Sequence, residues 1–508
     1  MRRSLIGLGL LLAAAFIWLG THWPFTEKAV IKALQGRFGN VRIRAFRSTF
    51  FPPGGVVDGL ELQRTDRADR PALAVAKSVI IRANYGDILT FRNHIDSIHA
   101  IGLHVTVPQT NAAGPGQPPT NQMPATGKGS KSMSIGEVRT ENAVLEFLSD
   151  SGANGSYVIQ VHQLTLHRVN SKDPIPFEVL LHNPAPPGEI RANGLFGPWK
   201  DHSPGETQVS GSYAYERANL GIWGGISGTL NSSGSFRGKL SQIMAEGAVD
   251  VPDFEVSGSS HKMHVACDYR AEINGANGDT SLTYVSSRLG RTTILSRGSI
   301  KGGSGEHGKT VMLSMNADDG RIEDLLNLFS SSPMPAETGR VRFGLRIELP
   351  PGPAAFLRRL RLDGAFGIDA GHFTRSKMQL PLNRLAESAR GESKKQEERN
   401  GETVLSDFNG RVSAKDGIAE LKQISFREPG SEARIDGQYN LVDKRLDLRG
   451  VLQTTGKLSD TKSGFKSLLL KALSPFMKKK SLTVVPFTIK GTSADPVFAL
   501  DLARKSKR

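Results

Sequence analysis

Residues Gly303 to Thr310 have the spacing of a phosphate-binding loop, GSGEHGKT. In a working loop of this kind, backbone N–H groups cradle phosphates, the lysine reaches the terminal phosphates and the threonine hydroxyl holds magnesium. That chemistry requires a strand before the loop and a helix after it, because the helix N-terminus attracts the anion. The flanking segments here, RTTILSRGSIKG and VMLSMNADDG, both have the pattern of strands. We therefore predict a turn between two strands and no bound nucleotide.

The 12 histidines do not have the spacing of a metal site. His94, His99 and His104 recur every five residues, which alternates the faces of a strand, and His261 and His264 would point in opposite directions. The sequence contains no HExxH, no acidic cluster with ligand spacing and no G-x-S-x-G nucleophile turn. These patterns predict neither a metal centre nor a nucleophilic enzyme.

Two other reactive positions have ordinary structural interpretations. Asp318 and Asp319 stand beside Gly320, where we interpret them as turn and helix-capping residues. The single cysteine, Cys267, lies in the strand-like VACDYR and is interpreted as a small buried hydrophobe. One cysteine excludes an intrachain disulfide and a cysteine-based zinc cluster. We predict no catalytic residue, no cofactor and no metal, and a protein that is not an enzyme.

The composition favours strands and turns over helices. The 508 residues include 55 Gly and 27 Pro with 38% hydrophobic residues, and the length allows two or three domains. Lys+Arg 65 against Asp+Glu 49 gives a formal net charge of +16, which favours anionic partners. Because the charge is dispersed and no nucleic-acid motif occurs, we expect a membrane surface or lipid rather than nucleic acid.

The N-terminus predicts a membrane anchor. An uncharged apolar run from Leu5 to about Trp23 follows Arg2 and Arg3, which keep the leading end in the cytoplasm. A cleaved secretory signal is the alternative. A cleavage site needs small residues at the end of the run, but Ala13 to Ala15 lie in its middle and it ends in the bulky WLGTHW. We therefore favour an uncleaved anchor. In both cases the rest of the chain lies outside the cytoplasm.

Behind the anchor, the chain predicts a mainly β protein with a few helices. PFTEKAVIKALQGRF has an amphipathic helical pattern, as do IEDLLNLF and PAAFLRRL. Strict alternation of apolar and polar residues marks two strands most clearly, with one apolar face and one wet face. The apolar positions of these strands are Val341, Phe343, Leu345, Ile347 and Leu349, and Leu103, Val105 and Val107.

Composition also divides the chain. Residues 108–132 have no periodicity and almost no large apolar residue, which predicts a flexible linker. The predicted organisation is an anchor at 1–23, a helix and β domain at 24–107, the linker at 108–132, a middle β region at 133–318 and a C-terminal β domain with amphipathic helices at 319–508.

A late basic segment, TKSGFKSLLLKALSPFMKKKS, is a candidate for membrane contact. An apolar helical stripe surrounded by lysines suits anionic lipid headgroups. A helix packed on the sheet with its lysines in water fits the same pattern. The candidate contact residues are Leu468, Leu469, Leu473, Phe476, Lys478, Lys479 and Lys480.

The order of these features resembles the AsmA-like proteins of Gram-negative-type envelopes, which are related to TamB and chorein-type lipid-bridge proteins. The resemblance covers most of the chain and depends on order and shape rather than on invariant chemistry. It runs through the anchor and PFTEKAVIKALQGRFG, and through VRIRAFRSTFFPPGGVVDGLELQR and IDSIHAIGLHVTVP. Its C-terminal part covers LRLDGAFGIDAGHF, LSDFNGRVSAKDGIAELKQISFREPGSEARIDGQYNLVDKRLDLRGVL and SLLLKALSPFMKKKSLTVVPFTIKGTSADPVFALD. The middle stretch GSFRGKLSQIMAEGAVDVPDFEVSGSSHKMHVACDYRAEINGANGDTSLTYV resembles larger members of the family.

The resemblance implies a single-span protein of the bacterial inner membrane with a periplasmic body. It implies a long curled antiparallel sheet, a β-groove lined by apolar side chains such as those of Val341 to Leu349, although the same alternation fits a closed core. The implied function is phospholipid binding or transfer in outer-membrane biogenesis, with membrane lipid as partner. The alternative is a scaffold or regulator of protein targeting to, and assembly in, the outer membrane.

Overall fold

The chain is mainly β, as the sequence predicts. The computed structural model describes residues 24–38, 40–63, 72–90, 92–108, 134–148, 157–170, 172–200, 203–259, 261–275, 277–302, 308–329, 337–373, 404–428, 431–454, 484–493 and 496–500. These residues form 24 strands and four α-helices: α1 (Glu27–Phe38), α2 (Tyr85–Leu89), α3 (Ile322–Asn327) and α4 (Phe356–Arg359). Three of the four, α1, α3 and α4, lie in the segments with a predicted helical pattern. The predicted anchor and linker lie outside the described residues, except for Pro108.

The chain divides into two compact units. The first comprises the described residues up to Tyr215 with Ser235–Ile243 and the described part of Asn274–Asn277. The second comprises Glu216–Gly234, Met244–Ile273 and the described residues from Gly278 onward. Strands β9 (Gln208–Asn219), β10 (Ile226–Ser227), β11 (Thr229–Lys239) and β12 (Gln242–Val256) lie along the part of the chain where the division falls.

In the first unit, strands β1 to β8 pair in chain order. All of these pairings are antiparallel except β4 with β5, which is parallel. The prediction of an antiparallel sheet is therefore wrong for this pair; a parallel pair needs a long connection, and residues 109–133 separate the two strands. The strands are β1 (Asn40–Thr49), β2 (Gly54–Gln63), β3 (Ala74–Arg82), β4 (His94–Pro108), β5 (Ser134–Leu148), β6 (Tyr157–Val169), β7 (Ile175–Pro184) and β8 (Pro187–Phe196).

In the second unit, strands β13 to β24 pair in chain order and all of these pairings are antiparallel. Short connections such as Gly290 between β14 and β15 permit this arrangement. The strands are β13 (Met263–Ile273), β14 (Thr280–Leu289), β15 (Thr292–Gly302), β16 (Lys309–Arg321), β17 (Glu337–Leu349), β18 (Arg361–Phe373), β19 (Val404–Lys415), β20 (Ile418–Glu428), β21 (Ser431–Asn440), β22 (Arg445–Thr454), β23 (Val484–Thr492) and β24 (Pro496–Leu500).

Bulges interrupt the ladders of both units. The register of β6 on β7 shifts between Val161 and Gln163, and that of β16 on β17 shifts between Ala317 and Gly320. Asn142 in β5 has a φ of 53°, in the left-handed region that β-branched residues avoid. An extra residue bends its strand and increases the local twist, so the bulges of β6 and β16 curve the sheet and re-aim side chains.

The buried apolar residues form clusters within each unit. The cluster of the first unit contains Val57, Ala76, Val79 and Ala100, and Val30 of α1 packs against it. One cluster of the second unit is built on β15 to β18 around Val341 and Phe343, and another is built on β20 to β23. The buried members of the last cluster are Ile424, Phe426, Ala433, Ile435, Leu448, Leu452, Phe487 and Ile489.

Candidate functional site: an apolar sheet face

Strand β17 has the one-sided character that its sequence predicts. Val341 and Phe343 are buried, with 1% and 8% of their surface exposed, while Leu345, Ile347 and Leu349 are half-buried. The intervening Arg342 and Arg346 are exposed. Because successive side chains of a strand point to opposite faces, the apolar residues share one face and the arginines share the other.

The neighbouring strands extend this face. On β16, Leu313 pairs with Ile347, Met315 with Leu345 and Ala317 with Phe343. On β18, Leu362 pairs with Ile347, Phe366 with Phe343 and Ile368 with Val341. Directly opposed residues lie on the same side of a sheet. We call the resulting surface the apolar face; its members are Leu313, Met315, Ala317, Val341, Phe343, Leu345, Ile347, Leu349, Leu362, Phe366 and Ile368.

Helix α3 covers one end of the apolar face. Its Ile322 and Leu325 pack against the cluster that contains Val341 and Phe343. The buried Asp324 fixes the helix, because its carboxylate accepts hydrogen bonds from the Thr292 hydroxyl and the Arg291 N–H, both at 2.8 Å. Helix α3 therefore covers the apolar face at its Val341 end. Along β17, the members from Leu345 to Leu349 are more exposed than Val341.

The opposite side of these strands carries ion pairs together with uncharged residues such as Ser314 and the exposed Met312. Arg342 lies 2.5 Å from a carboxylate oxygen of Asp369, and Arg361 lies 2.9 Å from one of Glu348. All four side chains are about half exposed, so each pair contributes on the order of 0–1 kcal/mol. The pairs keep this side in water and so define which face of the sheet is apolar.

The candidates of the first unit lie on β4. Leu103 and Val105 are half-buried, and Leu103 packs against the cluster that contains Ala76. The side chain of Val107 lies outside the described part. The alternation predicts that His104 and Thr106 face solvent. His104 is exposed but Thr106 is buried, so this face of β4 is only partly exposed to solvent. The candidates for membrane contact, Leu468 to Lys480, also lie outside the described residues.

The phosphate-loop pattern joins two strands, as the sequence predicts. Gly302 ends β15, Lys309 begins β16, and the two residues pair in an antiparallel register. The Nζ atom of Lys309 lies 3.3 Å from a carboxylate oxygen of Asp279. A strand follows the loop where a phosphate site needs a helix N-terminus, so this pattern lacks the context of a nucleotide site.

Two predictions for reactive residues have different outcomes. Asp318 and Asp319 do not cap a helix, because α3 begins only at Ile322 and Arg321 is its N-cap. They lie in the bulge of β16, where Asp319 forms an ion pair with Arg340 at 3.1 Å. Cys267 is half-buried on β13, and its thiol donates to the Ser287 hydroxyl. Burial raises the pKa of the Cys267 thiol above its usual value.

The histidines of the first unit are organised in a way that sequence spacing did not reveal. Six of them lie within ion-pair distance of a carboxylate on the same strand, on a neighbouring strand or, for His162, on the next strand but one: His94, His99, His104, His162, His167 and His182. Three side chains from three adjacent strands, those of His162, His182 and Glu189, place their potential ligand atoms within 4.8 Å of one another. A second such group joins Asp87, His94 and Asp96.

Comparison of the chain with protein-family models and with curated proteins finds no match. Among the described residues, no helix is long enough and apolar enough to span a membrane.

Proposed function

We propose that this protein is a non-enzymatic envelope protein of the AsmA-like type, which binds phospholipid along its apolar face and transfers it in outer-membrane biogenesis. The observation that carries the proposal is the half-buried stretch of the apolar face around Leu345 and Ile347, which continues from β17 onto β16 and β18. Exposed apolar surface that is contiguous and bordered by polar residues marks a binding site.

The chemistry of the face suits an acyl chain. Aliphatic side chains offer no directional partner, so they bind a flexible hydrocarbon by removing it from water. Each acyl methylene group that leaves water gains about 0.8 kcal/mol, and ten of them would gain roughly 8 kcal/mol before the cost of ordering the chain. The exposed arginines on the reverse of β17 restrict this binding to one side of the sheet.

Three sequence features support the envelope context. They are the predicted anchor at 1–23, the resemblance to AsmA-like proteins and the formal net charge of +16, which favours anionic headgroups. The predicted helix around Leu468 to Lys480 would contact such headgroups next to a membrane. With this anchor, the body lies in the periplasm and the N-terminus lies in the cytoplasm.

Site-specific photocrosslinking of the full chain in its own membrane tests the proposal. A photoreactive amino acid at Ile347 should yield a covalent adduct with phospholipid, which mass spectrometry identifies. The matched control is the same amino acid at Arg346, which is adjacent in sequence but faces the other side. Equal lipid labelling at both positions, or no labelling at Ile347, would overturn the proposal. Exclusive capture of assembly proteins at Ile347 would instead support the scaffold.

A further inference from the structure

Three adjacent strands of the first unit converge on one cluster of metal-ligating side chains. His162 lies on β6, His182 on β7 and Glu189 on β8. His182 and Glu189 are direct cross-strand partners, and Gln160, two residues before His162, is the partner of His182. Directly opposed residues lie on the same side of a sheet, and the distance from His162 to Glu189 places the His162 side chain on that side as well.

A bulge places His162 within reach of the other two. The register of β6 on β7 shifts between Val161 and Gln163, which leaves His162 as the additional residue. Bulges occur next to functional sites, where they re-aim a side chain. The Nε2 atom of His162 lies 3.5 Å from Oε2 of Glu189, although the two residues are on strands separated by β7.

The ligand atoms lie close enough together to approach one metal ion. The Nδ1 atom of His182 lies 2.9 Å from Oε1 of Glu189, and all three potential ligand atoms lie within 4.8 Å of one another. Ligands at about 2.0–2.2 Å from a tetrahedral zinc ion lie roughly 3.3–3.6 Å apart. The observed separations of 2.9 Å and 3.5 Å lie below and within this range, respectively, but end on different oxygens of Glu189, so the side chains would have to turn for one carboxylate oxygen to bind an ion together with both imidazoles.

We propose that His162, His182 and Glu189 form a binding site for a divalent transition-metal ion, with Zn²⁺ as the best match. Two imidazoles and one carboxylate suit zinc better than Mg²⁺ or Ca²⁺, which take mainly oxygen ligands. Three protein ligands leave a fourth position for water. The side chains are 44%, 34% and 26% exposed, so an ion reaches them from solvent.

Hydrogen bonds and charge hold the cluster together in the metal-free chain. The hydrogen bond from His182 lowers the pKa of Glu189, burial opposes this effect, and the charges of both histidines add to the lowering. Zn²⁺ binds neutral imidazoles, so its binding would release the protons through which these histidines contact Glu189. The ion would join β6, β7 and β8 directly, and a metal that binds only the folded chain stabilises it.

Two other histidine groups are less suitable and serve as controls. His167 also lies on β6, but within the described part of the chain its one carboxylate partner is Glu137, at 3.9 Å. Asp87, His94 and Asp96 supply only one imidazole, and the His94 Nδ1 atom is already 2.9 Å from the Ser134 hydroxyl. Variants of His167 and His94 therefore remove a comparable imidazole without touching the proposed site.

Titration calorimetry with Zn²⁺ on the metal-free full chain tests the proposal. One equivalent should bind, and His182→Ala or Glu189→Gln should weaken it by at least about 10- to 100-fold, since even outer-shell partners of a metal are worth that much. His167→Ala and His94→Ala should leave the affinity unchanged, and Zn²⁺ should raise the unfolding midpoint of the wild type but not that of Glu189→Gln.

Several results would overturn the site. These are no saturable Zn²⁺ binding to the wild type, unchanged affinity in Glu189→Gln, or loss of binding in His94→Ala alone. Should His182→Ala fail to fold, His162→Gln provides the second variant, because its side chain is the most exposed of the three. Circular dichroism of each variant shows that a loss of binding is not a loss of fold.

Discussion

Truncation of Phe343 and of Ile347 separates the core of β17 from its proposed lipid-binding part. Phe343 is 8% exposed and packs with Ile294, Val341 and Ile368. Phe343→Ala should therefore cost about 3–5 kcal/mol, because it removes a fully packed ring and leaves a cavity. Ile347 is only half-buried, so Ile347→Ala should cost under about 2 kcal/mol.

The assay is thermal unfolding of the full chain followed by circular dichroism. At about 2–4 °C per kcal/mol for a unit of this size, Phe343→Ala should lower the midpoint by roughly 6–20 °C and Ile347→Ala by much less. Ile347→Ala should instead reduce the phospholipid that copurifies with the protein. Equal destabilisation by the two substitutions would refute the reasoning, because Ile347 would then belong to a closed core and not to a binding surface.

Three further predictions follow from the same structure. Asp324→Ala should destabilise the second unit by about 1–3 kcal/mol, because it removes the acceptor that both the buried Thr292 hydroxyl and the Arg291 N–H contact at 2.8 Å; urea unfolding checks this, and a change below about 0.5 kcal/mol would contradict it. Cys267 should react with a thiol reagent at pH 8 more slowly than in the urea-unfolded chain, because burial raises the pKa of its thiol and keeps it protonated; equal reaction rates would contradict the assignment. Between the unfolded and folded pKa values the native state holds the extra proton. The stability that this thiol contributes therefore falls as the pH rises above its ordinary pKa of 9.0. Lys309→Ala should leave ATP binding unchanged from the wild type in a fluorescence assay, and abolished ATP binding would restore the phosphate-loop interpretation. The same substitution should lower the free energy of unfolding by under about 1 kcal/mol, because it removes the partly exposed ion pair with Asp279.

Strand assignment was the most predictable part of this fold. The alternation in VRFGLRIEL identified both the strand and its buried side, because a period of two admits only one way to bury the apolar residues. The same reasoning identified the strands on both sides of the Gly303 to Thr310 pattern. It was wrong for Asp318 and Asp319, since the bulge that contains them depends on the pairing of β16 with β17.

The candidate metal cluster could not be predicted in this way. His162, His182 and Glu189 follow no ligand spacing in the sequence, and they meet because β6, β7 and β8 pair in one register with one bulge. Likewise, the parallel pairing of β4 with β5 has no local signature, because it depends on where the chain returns after residues 109–133. The signal available in the sequence was limited to histidines and glutamates at recurrent strand positions.

The sequence by itself determined that this chain is mainly β, that Leu345 and Ile347 share a face opposite Arg346, and that the phosphate-loop pattern joins strands. These properties are local, since they follow from the alternation of side chains along one strand. Only the tertiary structure decided how far each apolar residue is covered and which polar residues meet. Burial of Val341 by α3 and the approach of His162 to Glu189 both require contacts between distant segments, and pairing register and bulges fix those contacts.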